Sequence, residues 1–142
     1  MTPLERITER VSRNGDVNSE ATPRPVLTLA EFFEGNNEPG TICCNLESQP
    51  TAADVYQRLK DIAARPNVAD VRVVVTQFDV PEWPFSDTVL VITSEPPEEV
   101  RKWFDEEFHL SECWTGEYGD VETNVEPYPV PEGMKTVVCQ WN

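Results

Sequence analysis

The chain has 142 residues and carries 26 acidic against 11 basic side chains, which gives a formal net charge of -15. Such an acidic chain repels nucleic-acid backbones and anionic membrane surfaces, so we expect neither as a partner. Hydrophobic residues make up 39% of the chain and predict a folded core. We see no apolar run long enough to span a membrane and no secretory leader, which points to the cytoplasm.

The first 25 residues predict an N-terminal helix and a linker, ahead of a single α+β domain over residues 26–142. Thr2 and Glu5 form a capping-box pattern with Pro at the first helical position, so a helix is expected over about residues 3–13. The following residues up to 25 are mostly turn formers without periodicity, which is typical of a linker.

A short helix is predicted next. Thr28 and Glu31 form a second capping box, and Leu27 with Phe32 forms a hydrophobic staple around it. Gly35 can take the left-handed conformation that ends a helix. We therefore expect two helical turns that bury at least one phenylalanine.

From residue 41 the pattern predicts the order β-α-β-β-α-β. The strands are rich in β-branched residues, and the helices keep one face apolar. Gly and Pro punctuate residues 111–133, which are expected to be irregular. The strands are expected at 41–46, 71–78, 88–93 and 135–141, with helices from 52 and after Ser94.

This order is that of the ferredoxin-like split βαβ fold, an α+β architecture with a four-stranded antiparallel sheet and two helices on one face. Right-handed crossovers place the first and third strands in the centre, with the fourth strand beside the first. The other face would carry Val74, Val89, Val91, Val138 and Phe78. Because that face is too apolar to meet water, we expect the N-terminal helices or a second copy of the chain to cover it.

The cysteines are Cys43, Cys44, Cys113 and Cys139. In the predicted topology Cys139 approaches Cys43 or Cys44, but adjacent strand residues point to opposite faces, and the chain has no C-x-x-C pair. Packed, reduced thiols are therefore expected, and neither a metal site nor a cofactor is predicted. The candidates for a metal site, if one existed, are Cys43, Cys44 and Cys139.

Acidic side chains concentrate late in the chain, where residues 95–142 carry 12 acidic and 3 basic groups. One interpretation is a solvated face; the other is a docking surface that steers a basic protein partner. Aromatic residues in loops either pin the loop to the core or anchor a partner, and next to carboxylates they suit a cationic one. The candidate binding residues are Trp83, Phe85, Asp87, Glu98, Glu106, Glu117, Tyr118 and Asp120.

Three segments, residues 27–36, 40–46 and 83–89, resemble a group of small uncharacterised bacterial proteins. The resemblance covers about residues 27–110 and the closing strand, and Cys43 stands where that group would have Gly. It implies a bacterial cytoplasmic origin and carries over no activity, cofactor or catalytic residue.

The favoured hypothesis is a non-enzymatic interaction module, of the immunity or inhibitor kind, that binds a basic partner. The alternative is a small-ligand sensor or regulatory ferredoxin-like domain that acts as a homodimer. A third hypothesis is an enzyme that uses Cys43, Cys44 or Cys139 with His109. Because no nucleophile elbow, phosphate-binding loop or zinc-protease motif is present, we expect no enzymatic activity.

Overall fold

The structure is a computed structural model that describes residues 2–19, 22–36, 41–42, 51–78, 83–104, 108, 110–116 and 125–141. None of the helices in these ranges is long and apolar enough to cross a membrane. The elements, in chain order, are α1 (Pro3–Val11), β1 (Val26–Thr28), α2 (Leu29–Phe33), α3 (Ala52–Ala63), β2 (Val68–Val74), β3 (Thr88–Thr93), α4 (Pro97–Trp103), β4 (Glu112–Thr115) and β5 (Lys135–Gln140).

The strands form one five-stranded sheet in the order β1-β2-β3-β5-β4, and every neighbouring pair is antiparallel. The α+β class and the antiparallel sheet are therefore as predicted. Helices α3 and α4 bury apolar residues against one face of this sheet, which we call the helix side. Val55 and Leu59 of α3, together with Val100 of α4, lie in the same cluster as Val73 and Val89 of the central strands.

The four-stranded ferredoxin-like plan is not confirmed. That plan placed residues 41–46 between the third and fourth predicted strands, which correspond to β3 and β5. In the structure β3 pairs directly with β5. Of that predicted strand, Ile42 makes a parallel bridge to Ser86, and residues 43–46 lie outside the described residues.

Two strands in the sheet were not predicted from the sequence. Strand β1 has three residues and arises next to the second capping box, and β4 has four and arises in the segment expected to be irregular. Both are too short for an alternating pattern to be recognised. They occupy the two edges of the sheet.

The second face of the sheet is also apolar, and it is covered within the chain. Its buried residues are at most 2% exposed: Val26, Val74, Leu90, Ile92 and Val138. Trp114 and residues 125–134, which we call the cover segment, pack against them. The cover segment makes this contact through Val125, Tyr128 and Met134.

The predicted composition of this face was correct for Val74 and Val138 and wrong for the rest. Val89 and Val91 lie on the helix side, and Phe78 packs against that same cluster. The cause is that β3 is buried along its whole length, so its apolar run has no alternation from which the facing residues could be assigned.

Helix α1 begins at its capping box, where the Glu5 amide donates to Thr2 Oγ1 at 3.1 Å. Its buried residues Ile7 and Val11 join the helix-side cluster, so the prediction that N-terminal helices cover the second face is wrong. The cover segment also occupies the face on which a second copy was expected to dock. The division of the chain into residues 1–25 and 26–142 stays a prediction.

Helix α2 follows its predicted signals closely. The Glu31 amide donates to Thr28 Oγ1 at 3.1 Å, and the Thr28 amide donates to Glu31 Oε1 at 2.8 Å. Gly35 ends the turn at a φ of 82°, and a Cβ at this position would collide with Pro3 at the start of α1. Glycine is therefore required here both by the backbone conformation and by the close approach of α1.

Candidate functional site

The structure divides the eight candidate binding residues into three groups. Glu106, Glu117, Tyr118 and Asp120 lie outside the described residues. Glu98 lies in the first turn of α4 and is exposed. The other three, in residues 83–87, are held by contacts within the chain.

Trp83 pins its loop to the core. Its indole Nε1 donates to the carbonyl oxygen of Phe32 at 2.9 Å, and the residue is 3% exposed. Phe85 is half-buried and exchanges backbone hydrogen bonds with Gln77, its amide donating to the Gln77 carbonyl at 2.7 Å. Of the two roles that loop aromatics can play, Trp83 therefore has the structural one.

Asp87 is half-buried beside the start of β3. Its carboxylate accepts a hydrogen bond from Thr88 Oγ1 at 2.7 Å, and its carbonyl accepts one from the Trp141 amide at 3.0 Å. The carbonyl thus joins the start of β3 to Trp141, which follows β5. In this arrangement Asp87 is engaged internally.

Two exposed carboxylates lie on and beside strand β4, which is one edge of the sheet. Glu98 lies on α4, which packs against β4 on the helix side, and Glu112 is exposed on β4 itself. We call this pair the β4-edge carboxylates. The guanidinium of the nearby Arg101 donates hydrogen bonds to the backbone carbonyls of Leu110 and Ser111, at 2.8 and 3.4 Å.

A pair of thiols lies next to these carboxylates, between β4 and β5. Cys113 and Cys139 are directly opposite each other in the antiparallel register, and their sulfur atoms are 3.8 Å apart. Cys139 is fully buried, whereas Cys113 is partly exposed and its sulfur lies 3.5 Å from the Pro97 carbonyl.

The two thiols differ in acidity for physical reasons. A hydrogen bond from the Cys139 thiol lowers the pKa of Cys113; burial opposes this, the Arg101 charge assists it and the Glu98 charge opposes it. Burial raises the pKa of Cys139, and the hydrogen bond with Cys113 and the negative charge of its thiolate raise it further. Cys113 is therefore the more acidic thiol of the pair and Cys139 the less acidic one.

The pair could not be predicted from the sequence, because the predicted topology brings Cys139 near Cys43 or Cys44. Those two residues lie outside the described part of the chain. The partner found, Cys113, belongs to the unpredicted strand β4. Strand β4 has four residues, and its central pair, Cys113 and Trp114, breaks any alternation, so no sequence pattern pointed to it.

Metal binding has no support in the described ranges, where no group of three or more His, Cys, Asp or Glu side chains is placed to hold an ion. Cys139, one of the three candidate ligands from the sequence, is instead paired with Cys113.

An open groove of about 710 Å³ lies between α1 and α2. Arginine and glutamate side chains line it in equal number, so it has no dominant charge that would select an anion or a cation. We assign no site to it. Its charged residues are Arg6, Arg10, Arg13, Glu9, Glu31 and Glu34.

The fold and the site define an acidic α+β protein whose five-stranded antiparallel sheet carries a pair of opposed thiols at one edge. The family model described as "Uncharacterized protein YfbO family" matches residues 2–139, and the chain belongs to that family. It is 50% identical over 143 residues to "Uncharacterized protein YfbO" of Escherichia coli (strain K12), and the similarity covers 100% of both chains. No solved structure matches. The resemblance to small uncharacterised bacterial proteins is thus confirmed.

Proposed function

We propose that this protein is a non-enzymatic interaction module that binds a basic protein through the β4-edge carboxylates, Glu98 and Glu112. The observation that supports it most is the combination of a net charge of -15 with a described surface that is poor in apolar docking area. Recognition would then depend on charge.

The described surface offers little apolar area on which a partner could dock. Among the large hydrophobic residues that the structure describes, Val130 stands out as exposed, at 44%. Typical protein interfaces have an apolar, often aromatic centre with a polar rim. Because the described surface offers no such centre, a partner would be selected by its positive charge.

Exposed negative charge is present at the β4 edge of the sheet. Glu98 and Glu112 are both exposed, and the hydrogen bonds of Arg101 are directed to backbone carbonyls. A carboxylate on the edge strand itself, with a second one on the helix packed against it, also discourages pairing with another strand, which favours binding through side chains. Such binding is fast and weakens as salt screens the charges.

We also propose a cytoplasmic location for this function, which the free thiols Cys113 and Cys139 support. The homodimeric sensor required an uncovered sheet face, and the cover segment occupies that face. No described feature favours it over the interaction module.

Affinity capture from the source cell, at low and at high salt, tests the proposal. We expect a defined set of strongly basic proteins at low salt and their loss at high salt. The double variant Glu98→Gln/Glu112→Gln should lose the same set.

The matched control is Glu9→Gln/Glu34→Gln, which removes the same amount of charge from two exposed residues of α1 and the end of α2. This control should retain the captured set. If both double variants weaken capture equally, the binding follows net charge and the proposed surface is wrong. If the captured proteins are insensitive to salt, the electrostatic mechanism is wrong.

A further inference from the structure

We propose that Cys113 and Cys139 form a redox-active pair that closes reversibly into a cross-strand disulfide, with Cys113 reacting first with an external disulfide. The pair lies next to the β4-edge carboxylates, but the inference does not rest on the proposed function. It rests on the register of β4 and β5 and on the unequal exposure of the two cysteines.

The register places the two cysteines where cross-strand sulfur contacts are closest. The Gly116 amide donates to the Thr136 carbonyl, which marks Gly116 and Thr136 as a hydrogen-bonded pair of the ladder. Hydrogen-bonded and non-hydrogen-bonded pairs alternate along antiparallel strands. Counting back three positions in the continuous register makes Cys113 and Cys139 a non-hydrogen-bonded pair, whose Cα atoms are about 4.5 Å apart.

That separation lies within the range that a disulfide spans. The sulfur atoms are already 3.8 Å apart and in hydrogen-bond contact. Bond formation would bring them to about 2.0 Å, which side-chain rotation can supply without separating the strands. The closed form is therefore compatible with the fold as it stands.

The two cysteines differ in accessibility in the way that a stepwise reaction requires. Cys113 is partly exposed on an edge strand, so a small disulfide can reach it. Cys139 is 0% exposed and can react only with a sulfur held beside it, which here is that of Cys113. Because the thiolate form is the nucleophile, the lowered pKa of Cys113 assigns the first attack to the same residue.

With glutathione disulfide as the oxidant, Cys113 first loses its proton to solvent, and its sulfur then forms a bond with one glutathione sulfur. The disulfide bond of glutathione breaks, and the other glutathione leaves as a thiolate. In the second step Cys139 loses its proton to solvent and its sulfur attacks Cys113 Sγ, which releases the second glutathione as a thiolate. The protein dithiol loses two electrons in total, and glutathione disulfide gains them.

The first step also prepares the second. The negative charge of Cys113 is one cause of the raised pKa of Cys139, and the mixed disulfide removes that charge. One cause of the raised pKa of Cys139 is then gone, although burial, the largest cause, remains. The order of the two steps follows from the exposure of Cys113 and the burial of Cys139.

Incubation of the whole protein in buffers of increasing glutathione disulfide to glutathione ratio tests this inference. Free thiols are then alkylated, and the peptides are mapped by mass spectrometry without reduction. We expect a linked pair of peptides containing Cys113 and Cys139 that appears as the ratio rises and disappears on return to glutathione. The variant Cys43→Ser/Cys44→Ser, which retains only the proposed pair, should give the same result.

Two single variants separate the roles. Cys139→Ala should stop at a stable glutathione adduct on Cys113, and Cys113→Ser should leave Cys139 unmodified while the protein is folded. Because the linked peptide is measured in the wild type, a variant that fails to fold does not remove the test. Absence of the linked peptide at every ratio would overturn the inference, as would a disulfide from Cys113 to Cys43 or Cys44.

Discussion

Arg10 and Glu126, 116 positions apart, form a two-point ion pair, with Nη2 2.8 Å from Oε1 and Nη1 3.1 Å from Oε2. Glu126 also accepts the amide of Val26 at 2.8 Å and the side-chain amide of Asn14 at 2.7 Å. Arg10 in turn donates to the Val26 carbonyl at 3.0 Å. The pair thus fastens α1, β1 and the cover segment at one point.

Removal of Arg10 should destabilise the fold because it leaves the largely buried carboxylate of Glu126 without its ion-pair partner, whereas removal of Glu126 leaves Arg10 paired with Glu31 at 2.9 Å. Both side chains are about 15% exposed or less. We expect Arg10→Ala to lower the free energy of unfolding by about 2–3 kcal/mol in urea titrations. The control Arg13→Ala removes an exposed arginine near the end of the same helix and should cost less than about 0.5 kcal/mol. Equal losses in both variants would contradict the role given to Arg10.

The same pair predicts a loss of stability in acid. Burial alone would raise the pKa of Glu126, but hydrogen bonds from Arg10, Val26 and Asn14 outweigh it and hold the pKa below its ordinary value. A carboxyl with a lowered folded pKa stabilises the protein fully above the unfolded pKa, about 4.3 for Glu. That contribution is lost as pH falls through the folded value, because the unfolded chain then binds the proton first.

Urea unfolding between about pH 6 and about pH 3 measures this dependence. Glu126→Gln cannot titrate at this position, so its stability should fall less steeply with acid than that of the wild type. Glu132→Gln, an exposed residue of the same cover segment, serves as the control and should keep the wild-type slope. A Glu126→Gln slope as steep as that of the wild type would show that the pair does not carry the acid sensitivity.

The cover segment should be required to shield the second sheet face. Tyr128 packs on that face, and its hydroxyl lies 2.9 Å from Thr136 Oγ1. We expect Tyr128→Ala to cost about 2–3 kcal/mol and to increase binding of a hydrophobic dye. Val130→Ala, two positions along at the 44% exposed valine, should change neither quantity. Dye binding that stays at the wild-type level in Tyr128→Ala would mean that the face is protected in another way.

The acidity of Cys113 should depend on its partner. The hydrogen bond from Cys139 is the largest cause of the lowered pKa of Cys113, so Cys139→Ala should raise that pKa. The rate at which iodoacetamide alkylates Cys113 is measured as a function of pH in a Cys43→Ser/Cys44→Ser background. The midpoint of this curve gives the pKa of Cys113. We expect the midpoint to move upward in Cys139→Ala, and a downward or absent shift would contradict the proposed hydrogen bond.

Elements whose signals are local could be predicted from the sequence. The capping residues Thr2 and Thr28 each meet their acidic partner three positions on, within a single turn, so no tertiary information is needed. The strands that became β2, β3 and β5 were likewise evident from their β-branched residues.

Features that depend on distant partners could not be predicted. β3 is apolar on both faces, so its residues could not be assigned to a side, and β5 could pair with any exposed edge. The thiol pair could not be predicted for two reasons. Cys113 lies on a strand of four residues, and Cys139 lies on β5, whose neighbour in the sheet was predicted wrongly. Trp83 shows the same limit, because its hydrogen bond joins it to Phe32, 51 positions earlier.

The strand order has a consequence for the protein during its synthesis. The central strand β3 leaves the ribosome soon after β2 and can pair with it, but its second neighbour, β5, emerges only after α4, β4 and the cover segment. Until then the apolar β3 edge of the hairpin lacks the strand that pairs with it in the folded sheet, and such an edge is a template for pairing with other molecules. We therefore expect this chain to be most prone to aggregate after residue 93 has left the ribosome and before residue 135 has done so.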